Sequence, residues 1–330
     1  MKKAFSLGFA YVGTVIGAGF ATGREILLYF GECSFLSVLL AGLFLGVFCY
    51  VILRLSSVYG SVFKAFGIFE KPVRVFVFLS NFCVLCATIS GAESVLFSSF
   101  SFHGGGIVFA VFSLLIVLWG VQKVKLLNVL AVPVIIILVC IVFFKSDFSL
   151  PSGKYSVFKP FFYASMNVIT GGFLIGNNSG SVTKKESLVC SLLSGFVLTA
   201  LLFFIRVSAQ NVSAQMPFLA KAESLGLTIV GRLVLLLAML TTVIGTLSVC
   251  SFSNKYLALL VTSLALLLST FGFESIVDAA YPIMGAVGGA ISVGALGIFL
   301  LSLSPKFSRY YNRLFRPNGS LCPRRLRRGN

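Results

Sequence analysis

Val15-Ile16-Gly17-Ala18-Gly19-Phe20 recurs about half the chain later as Val168-Ile169-Thr170-Gly171-Gly172-Phe173. Gly23 follows the first copy and Gly176 the second, at the same spacing. Each copy lies within a long apolar stretch, where clustered glycines cost helix stability. Paired interruptions in corresponding halves of a membrane protein are typical of a solute-binding site between two repeats. The two copies therefore predict two interrupted helices that face each other.

The composition is that of a membrane protein. Hydrophobic residues make up 58% of the 330 residues and charged residues 11%, whereas soluble domains carry roughly 25% charged residues. Apolar stretches of about 18 residues or more, long enough to cross a bilayer as a helix, recur along the chain. We predict an all-α, polytopic helical membrane protein without a separate soluble domain. The eight cysteines are scattered and do not indicate a disulfide framework.

The formal net charge of +17 follows the two sides of a membrane and does not indicate a nucleic-acid partner. Basic residues concentrate at the termini and at the connections on one face, which the positive-inside rule makes cytoplasmic. Both termini are therefore expected in the cytoplasm, and the basic tail, residues 305–330, is expected to contact anionic membrane lipid. The ten predicted transmembrane segments are residues 5–29, 34–54, 73–98, 104–122, 126–144, 158–179, 187–205, 226–254, 256–273 and 279–302.

An odd number of segments precedes the second glycine-rich copy. Five predicted segments lie within residues 1–144, so a second set of five, within residues 158–304, starts from the opposite face of the membrane. Residues 145–157 would connect the two sets on the extracellular side. The predicted fold is thus ten transmembrane helices in a 5+5 inverted repeat, with helices 1 and 6 broken.

The glycines supply a physical reason for such breaks. Glycine can leave helical geometry at little steric cost, which would free backbone N–H and C=O groups in mid-membrane. These groups need a partner, and a bound solute can supply one. The alternative is that small residues only let two helices approach closely. From the backbone at the two interruptions we predict solute contacts at Gly17, Ala18, Gly19, Phe20, Gly171 and Gly172.

Polar side chains near the interruptions extend the predicted site. Asn167 and Thr170 lie one turn apart at the second interruption and can hydrogen-bond a polar solute. Glu25 follows the first interruption, and Glu93 is isolated in the third segment. Acidic residues within a membrane are costly and therefore functional candidates. We predict that each binds a cationic group of the solute or carries a proton; the alternative is that each only satisfies neighbouring polar groups.

The stretch Ala10-Tyr11-Val12-Gly13-Thr14-Val15-Ile16-Gly17-Ala18-Gly19-Phe20-Ala21-Thr22-Gly23-Arg24-Glu25-Ile26 resembles the N-terminal signature of the YkvI-like bacterial membrane proteins. That family is grouped with the amino acid–polyamine–organocation transporters and their LeuT-type fold of five plus five helices. The resemblance implies a transporter-like protein of the bacterial cytoplasmic (inner) membrane.

The resemblance also implies two features of LeuT-type transporters. The first is an outer gate in which Arg24 meets Asp278, with Glu274 as a rival partner. The second is a sodium site of hydroxyls from the eighth segment and carbonyls from the first interruption, which maps onto Thr241, Thr242, Val15 and Ala18. Threonines in membrane helices often bond to their own helix instead. Glu25 or Glu93 could run proton coupling, so Na⁺ and H⁺ are both candidate coupling ions.

Together these features predict a secondary active transporter. It would move a small polar solute, an amino acid or a related organic molecule, by ion-coupled alternating access. The alternative is a membrane receptor that senses a solute and keeps the fold without transport. The sequence carries no evident cluster of catalytic groups, nucleotide-binding motif or metal-ligand cluster, so we predict neither an enzyme nor a cofactor beyond the coupling ion.

Overall fold

The computed structural model describes residues 2–180, 182–251 and 254–303, and this part of the chain forms helices joined by short connections. One isolated bridge pairs Cys33 with Lys154. The predicted all-α class is confirmed. The helices are α1 (Lys2–Val15), α2 (Ala18–Thr22), α3 (Arg24–Phe30), α4 (Phe35–Tyr59), α5 (Val62–Ala65), α6 (Glu70–Phe100), α7 (Gly105–Leu118), α8 (Val121–Lys145), α9 (Phe158–Asn167), α10 (Phe173–Asn178), α11 (Lys184–Ala209), α12 (Pro217–Ser224), α13 (Thr228–Ser251), α14 (Lys255–Ser269) and α15 (Phe273–Leu303).

Several of these helices are long and apolar enough to cross a bilayer as single rods. The described residues contain six helices of this kind. Helices α7 and α14 are apolar but shorter. The chain is therefore a multi-pass membrane protein, as predicted. The six are Phe35–Tyr59, Gly67–Phe100, Leu126–Lys145, Lys184–Ala209, Thr228–Ser251 and Phe273–Leu303.

The first predicted segment is interrupted twice. Helix α1 ends at Val15 and α2 starts at Ala18, and Gly17 between them has φ −78° and ψ −175°, an extended conformation. Gly23 then separates α2 from α3 with φ +80°, a left-handed conformation that residues with a Cβ rarely adopt. A Cβ at Gly23 would also lie 3.2 Å from the Cβ of Ala209. The first glycine-rich copy thus breaks its helix, as predicted.

The second glycine-rich copy does not break its helix, contrary to the prediction. Between α9 and α10, Val168–Gly172 forms a π-helical turn, and Gly172 keeps helical angles of φ −64° and ψ −46°. Close packing explains the glycines here. A Cβ at Gly171 would come within 3.0 Å of Val15 Cγ2 and 3.1 Å of the Tyr11 ring. The alternative, that small residues bring two helices together, is correct for this copy.

The interrupted first segment lies at the centre of the described helices. Helix α1 packs against α8, α11 and α13, and α2 packs against α13. The π-helical turn packs against α1, while α9 packs against α4 and α15. All five residues of α2 are buried. The surrounding helices therefore hold the interruption away from lipid.

The predicted connector, residues 145–157, runs between α8 and α9 and packs on the turn after α3. Ser34 N donates to Lys154 O at 3.1 Å, and Lys154 N donates to Glu32 O at 3.0 Å. The basic tail, residues 305–330, lies outside the described residues. The division of the chain into two five-helix repeats stays a prediction.

Candidate substrate and ion site

The break after α1 turns backbone oxygens toward α13. The Gly17 N–H donates to Val15 O at 2.7 Å and not to the carbonyl four residues earlier. The Thr242 hydroxyl of α13 donates to Ile16 O at 3.3 Å and to Thr14 O at 3.5 Å. Thr242 and both residues that carry these carbonyls are buried. Carbonyl and hydroxyl oxygens are the ligands that hard cations prefer in proteins.

Of the two predicted hydroxyls, one faces the break. The Thr241 hydroxyl donates to Ala238 O of its own helix at 2.8 Å, which is the alternative expected of membrane threonines. Thr241 is nevertheless fully buried beside Thr242. The structure therefore brings Thr242 directly to the interruption and leaves Thr241 bonded within α13.

The backbone at the break also differs in detail from the prediction. The Val15 carbonyl accepts the Gly17 N–H, and Ala18 is the first residue of α2. The oxygens that meet the α13 hydroxyl belong instead to Thr14 and Ile16. The sequence indicates which helix breaks, but the direction of each freed carbonyl depends on the angles at the break.

Asn128 of α8 is a further polar side chain at the break, and we did not predict it. It is buried and packs on Gly13 of α1, where any side chain would collide with the amide. Neither the oxygen nor the nitrogen of this amide has a hydrogen-bond partner among the described residues. A buried amide without partners is costly and indicates an ion, solute or water at this place. Its isolation in an apolar stretch is the signal that could have marked it.

The Glu25 carboxyl reaches from α3 back to the first interruption. Glu25 is 3% exposed, and a Cβ at Gly19 would come within 2.6 Å of its Oε2. Asn167 Nδ2 of α9 donates to Glu25 Oε1 at 3.2 Å. Within the described part of the chain, no basic side chain forms an ion pair with this carboxylate. The structure thus brings two predicted residues, Gly19 and Asn167, to the buried acid Glu25.

Tyrosine rings enclose this acid. The rings of Tyr29 and Tyr163 lie 5.5 Å apart, edge to face, and the Tyr29 hydroxyl donates to Tyr281 O at 2.9 Å. The Tyr281 ring borders Gly19 as Glu25 does, since a Cβ there would lie 3.1 Å from Tyr281 Cε2. The Tyr163 hydroxyl is buried near the carboxylate without a hydrogen bond of ordinary geometry to a described residue. Sequence reasoning missed these tyrosines because aromatic residues occur throughout the chain.

The other predicted solute contacts are buried near this cluster. The Thr170 hydroxyl donates to Asn167 O of its own segment at 3.0 Å. Gly171 and Gly172 belong to the π-helical turn and serve packing. The residues of the first interruption are all buried at the centre of the structure, namely Gly17, Ala18, Gly19 and Phe20.

The Glu93 carboxyl lies at the start of α7. Its carboxylate accepts hydrogen bonds from Gly104 N at 3.0 Å and Gly106 N at 2.5 Å, at the start of α7. The first N–H groups of a helix lack partners within the helix, and a negative charge there meets the positive end of the helix dipole. Glu93 therefore links α7 to α6, and its role in binding a solute or a proton stays a prediction.

Arg24 meets both candidate acids of α15. Its NH2 group lies 2.6 Å from Asp278 Oδ2 and 2.6 Å from Glu274 Oε1. The three side chains border a cavity of about 540 Å³ that α3 and the connection before α12 complete. The predicted pair of Arg24 and Asp278 is present, and Glu274 shares it. Its opening and closing stay a prediction.

Hydrogen bonds join the helices at the opposite end. Ser61 Oγ donates to Asn177 Oδ1 at 3.1 Å. Arg54 and Ser57 of α4 both donate to Val182 O, at 3.3 Å and 3.0 Å. Polar contacts therefore link the helices on both sides of the buried cluster.

The helices adopt the LeuT-type fold of membrane transporters. The chain superposes on the inward-facing conformation of Mhp1 with a TM-score of 0.62 and 13% identity, covering 90% of this chain and 76% of that one. It also superposes on Mhp1, a nucleobase-cation-symport-1 family transporter, in a closed conformation with bromovinylhydantoin bound. There the TM-score is 0.54 and the identity 15%, covering 94% of this chain and 78% of that one. Both likenesses concern the fold, which the chain shares with Mhp1.

The chain also resembles another membrane protein in sequence. In an alignment of 345 positions the chain is 25% identical to the uncharacterized membrane protein YkvI of Bacillus subtilis (strain 168). The alignment covers 92% of this chain and 97% of YkvI. The resemblance to the YkvI-like proteins is thereby confirmed. No protein-family model matches the chain.

Proposed function

We propose that the protein is a secondary active transporter that moves a small polar solute, an amino acid or a related organic molecule, across the bacterial cytoplasmic membrane. The observation that carries this proposal is the buried cluster of Gly19, Glu25 and Asn167 at the interrupted first segment. Polar groups buried at a broken membrane helix are costly and typical of transport sites. The LeuT-type fold supports the proposal, and Mhp1 was solved with a small organic molecule, bromovinylhydantoin, bound.

The proposal includes the finer architecture predicted from the sequence. It has ten transmembrane segments, two inverted five-helix repeats and both termini in the cytoplasm. Helical residues in each of the ten predicted stretches support this arrangement. A tag on the carboxyl end that reacts with a membrane-impermeant reagent in intact cells would contradict it.

Alternating access would use the contacts at the two ends of the helices in turn. The ion pairs of Arg24 with Asp278 and Glu274 would close the outer side. The hydrogen bond between Ser61 and Asn177 would be part of the inner closure. Exposed ion pairs and single hydrogen bonds are individually weak, so such contacts can break and re-form in a transport cycle.

The energy source in this proposal is an ion gradient, and the structure offers two places for the ion. The oxygens of Thr242, Thr14 and Ile16 favour Na⁺. The buried Glu25 carboxyl favours a proton. Imposing a sodium gradient and a pH gradient separately distinguishes the two ions.

The test is solute uptake into liposomes that contain the purified protein. Labelled amino acids, amines and nucleobases are supplied with an inward sodium gradient, with a pH gradient or with neither. We expect at least one solute to accumulate under one gradient and to show counterflow without any gradient. Stabilisation of the protein by a solute that shows neither uptake nor counterflow would contradict transport and indicate a solute sensor.

A matched pair of asparagine variants locates the site. Asn167→Ala removes the donor to Glu25 and should reduce uptake. Asn254→Ala removes an amide that caps α14 outside the cluster and should leave uptake per folded protein unchanged. Equal uptake by both variants would contradict the proposed position of the site.

A further inference from the structure

We propose that the transported solute is an organic amine without a carboxylate, and that its ammonium group and a proton compete for the Glu25 carboxylate. The inference rests on the proposed transport function and specifies its solute and its coupling. Binding of the ammonium group would release the proton from Glu25, so that amine and proton cross the membrane in opposite directions.

The first argument is the lack of charge compensation at Glu25. The residue is 3% exposed and accepts one hydrogen bond from a neutral amide, that of Asn167. No basic side chain pairs with it in the described part of the chain. A buried carboxylate needs a positive partner, or a proton, to offset its lost hydration. A bound ammonium group supplies the positive partner. In the empty site the carboxylate takes up a proton instead.

The second argument is the aromatic surrounding. Tyr29, Tyr163 and Tyr281 come from α3, α9 and α15 and lie near Glu25. Aromatic faces attract ammonium groups, most strongly where water is excluded. The Tyr163 hydroxyl, which lacks a regular hydrogen-bond partner among the described residues, can accept an N–H from the same group. These tyrosines are the other titratable side chains that face the acid.

The arginines on and next to α3 are directed to other partners, which disfavours a carboxylate on the solute beside Glu25. Arg24, next to Glu25, is directed to the acids of α15. Arg206 of α11 donates to Phe30 O at 3.0 Å and Gly31 O at 2.9 Å, at the far end of α3. A second carboxylate beside Glu25 would therefore meet like charge, which is strongly unfavourable in a buried site. An amino acid brings such a carboxylate, whereas the corresponding amine does not.

The charge of the cavity beside Arg24 favours cations as well. The cavity of about 540 Å³ is lined by Glu274, Asp278 and Arg24, two negative side chains and one positive. Its net charge of −1 raises the local concentration of small cations. Arg24, which lines this cavity, directly precedes the buried Glu25 in the sequence.

The proton balance is simple. In the empty site the Glu25 carboxyl carries a proton. The amine arrives as an ammonium ion, the carboxyl proton passes to water, and the resulting carboxylate pairs with the ammonium N–H groups. The bound site therefore has the same net charge as the empty site. Because a proton must leave before the amine binds, apparent amine affinity should rise as pH rises across the titration of the carboxyl group.

The experiment compares three amines with the amino acids that have the same side group plus a carboxylate. The pairs are methylamine and glycine, isoamylamine and leucine, and phenethylamine and phenylalanine. Binding to purified protein is measured by thermal stabilisation, and released protons are measured with an indicator dye in weakly buffered solution. We expect at least one amine to bind with proton release, about 10- to 100-fold more tightly than its amino acid.

Variants assign the effect to Glu25. Glu25→Gln should abolish proton release and weaken amine binding by about 10- to 100-fold, whereas Glu25→Asp should retain proton release. Glu32→Gln is the matched control, because its carboxylate is 90% exposed and pairs with Lys159 at the surface. If Glu25→Gln does not fold, the wild-type protein still decides, since pH-independent amine affinity would overturn the inference.

The outcomes separate this inference from the proposed transport. Uptake of an amino acid in preference to its amine would overturn the inference and leave the transporter intact. Amine binding with proton release but without uptake or counterflow would support the shared site and contradict transport. Absence of proton release with every amine would overturn the inference whatever the uptake assay gives.

Discussion

Removing both acids that face Arg24 should open this side of the protein much more than removing either one. The variants are Asp278→Asn, Glu274→Gln and the double variant. In the structure one guanidinium NH2 group lies 2.6 Å from an oxygen of each acid. When one acid is neutralised, the other still holds Arg24 in place. The two single changes should therefore be mild, and their combination should exceed their sum.

The size of the effect follows from exposure. The side chains of Arg24, Asp278 and Glu274 are 26%, 42% and 44% exposed, so water screens these pairs and each contributes about 0.2–1 kcal/mol. We expect a single variant to shift the balance toward the open form by at most about 0.3 kcal/mol, less than about twofold, because the remaining acid still holds Arg24. The double variant should shift it by about 1 kcal/mol, about fivefold.

The assay is the reaction rate of a cysteine in the wall of the cavity. Ser213 lines the cavity, and Ser213→Cys can be labelled with a membrane-impermeant maleimide. Native cysteines in the described residues are buried or half-buried and provide the background rate. Asp147→Asn is the control, since this acid pairs with Lys221 at the surface and does not contact Arg24.

Ionic strength provides a second check on the contact of Arg24 with the two acids. Salt screens exposed charges, so labelling of the wild-type cavity should rise with ionic strength toward the rate of the double variant. If the double variant labels no faster than the single variants, the two acids do not hold the gate together. If Asp147→Asn has the same effect, the change reflects general surface charge and not the contact with Arg24.

Three further predictions concern single contacts and are measured as free energies of unfolding in detergent. Thr242→Val should cost about 1–2 kcal/mol, because its hydroxyl serves carbonyls freed at the break, whereas Thr246→Val, which loses a bond only to its own helix, should change little. Glu93→Gln should cost about 1 kcal/mol through loss of the charged cap on α7. Gly42→Ala should cost about 1–3 kcal/mol by overpacking the contact of α4 with α11, and Gly297→Ala, where the added methyl meets open space, should be neutral. Equal effects within the threonine pair or the glycine pair would contradict these assignments.

The helical architecture could be predicted from the sequence because it follows from apolar length and glycine position. The two glycine-rich copies then showed the limit of this reasoning. A Cβ at Gly171 would lie 3.0 Å from Val15 and 3.1 Å from Tyr11 of α1, closer than van der Waals contact, so the missing side chain serves packing. A Cβ at Gly17 would lie 3.4 Å from the Thr242 side chain, an ordinary contact distance, and Gly17 sits in extended backbone. Which use a glycine has depends on the helix opposite, and local sequence does not contain that information.

The candidate site shows the same limit for charged residues. Glu25 and Glu93 are both single acids in apolar stretches, and the sequence ranked them alike. Glu93 meets the N–H groups of Gly104 and Gly106 because the chain turns back only eleven residues later. Glu25 meets Asn167 across 142 residues of sequence. The turn His103-Gly104-Gly105-Gly106 is visible in the sequence, so the contact of Glu93 with this turn could have been predicted. The partners of Glu25 are distant in the sequence and could be identified only from the fold.

The position of Arg24 and Glu25 on one short helix links the gate to the buried site. Helix α3 has seven residues and follows Gly23, which has φ +80°. Consecutive residues of a helix point about 100° apart, so Arg24 faces the acids of α15 while Glu25 faces Gly19. A rotation of α3 that separates Arg24 from Asp278 would also move the Glu25 carboxyl away from Gly19 and Asn167. Neutralising Glu25 with a solute or a proton would thus act on the gate through a single rigid element, and no longer chain of contacts is needed to couple binding to opening.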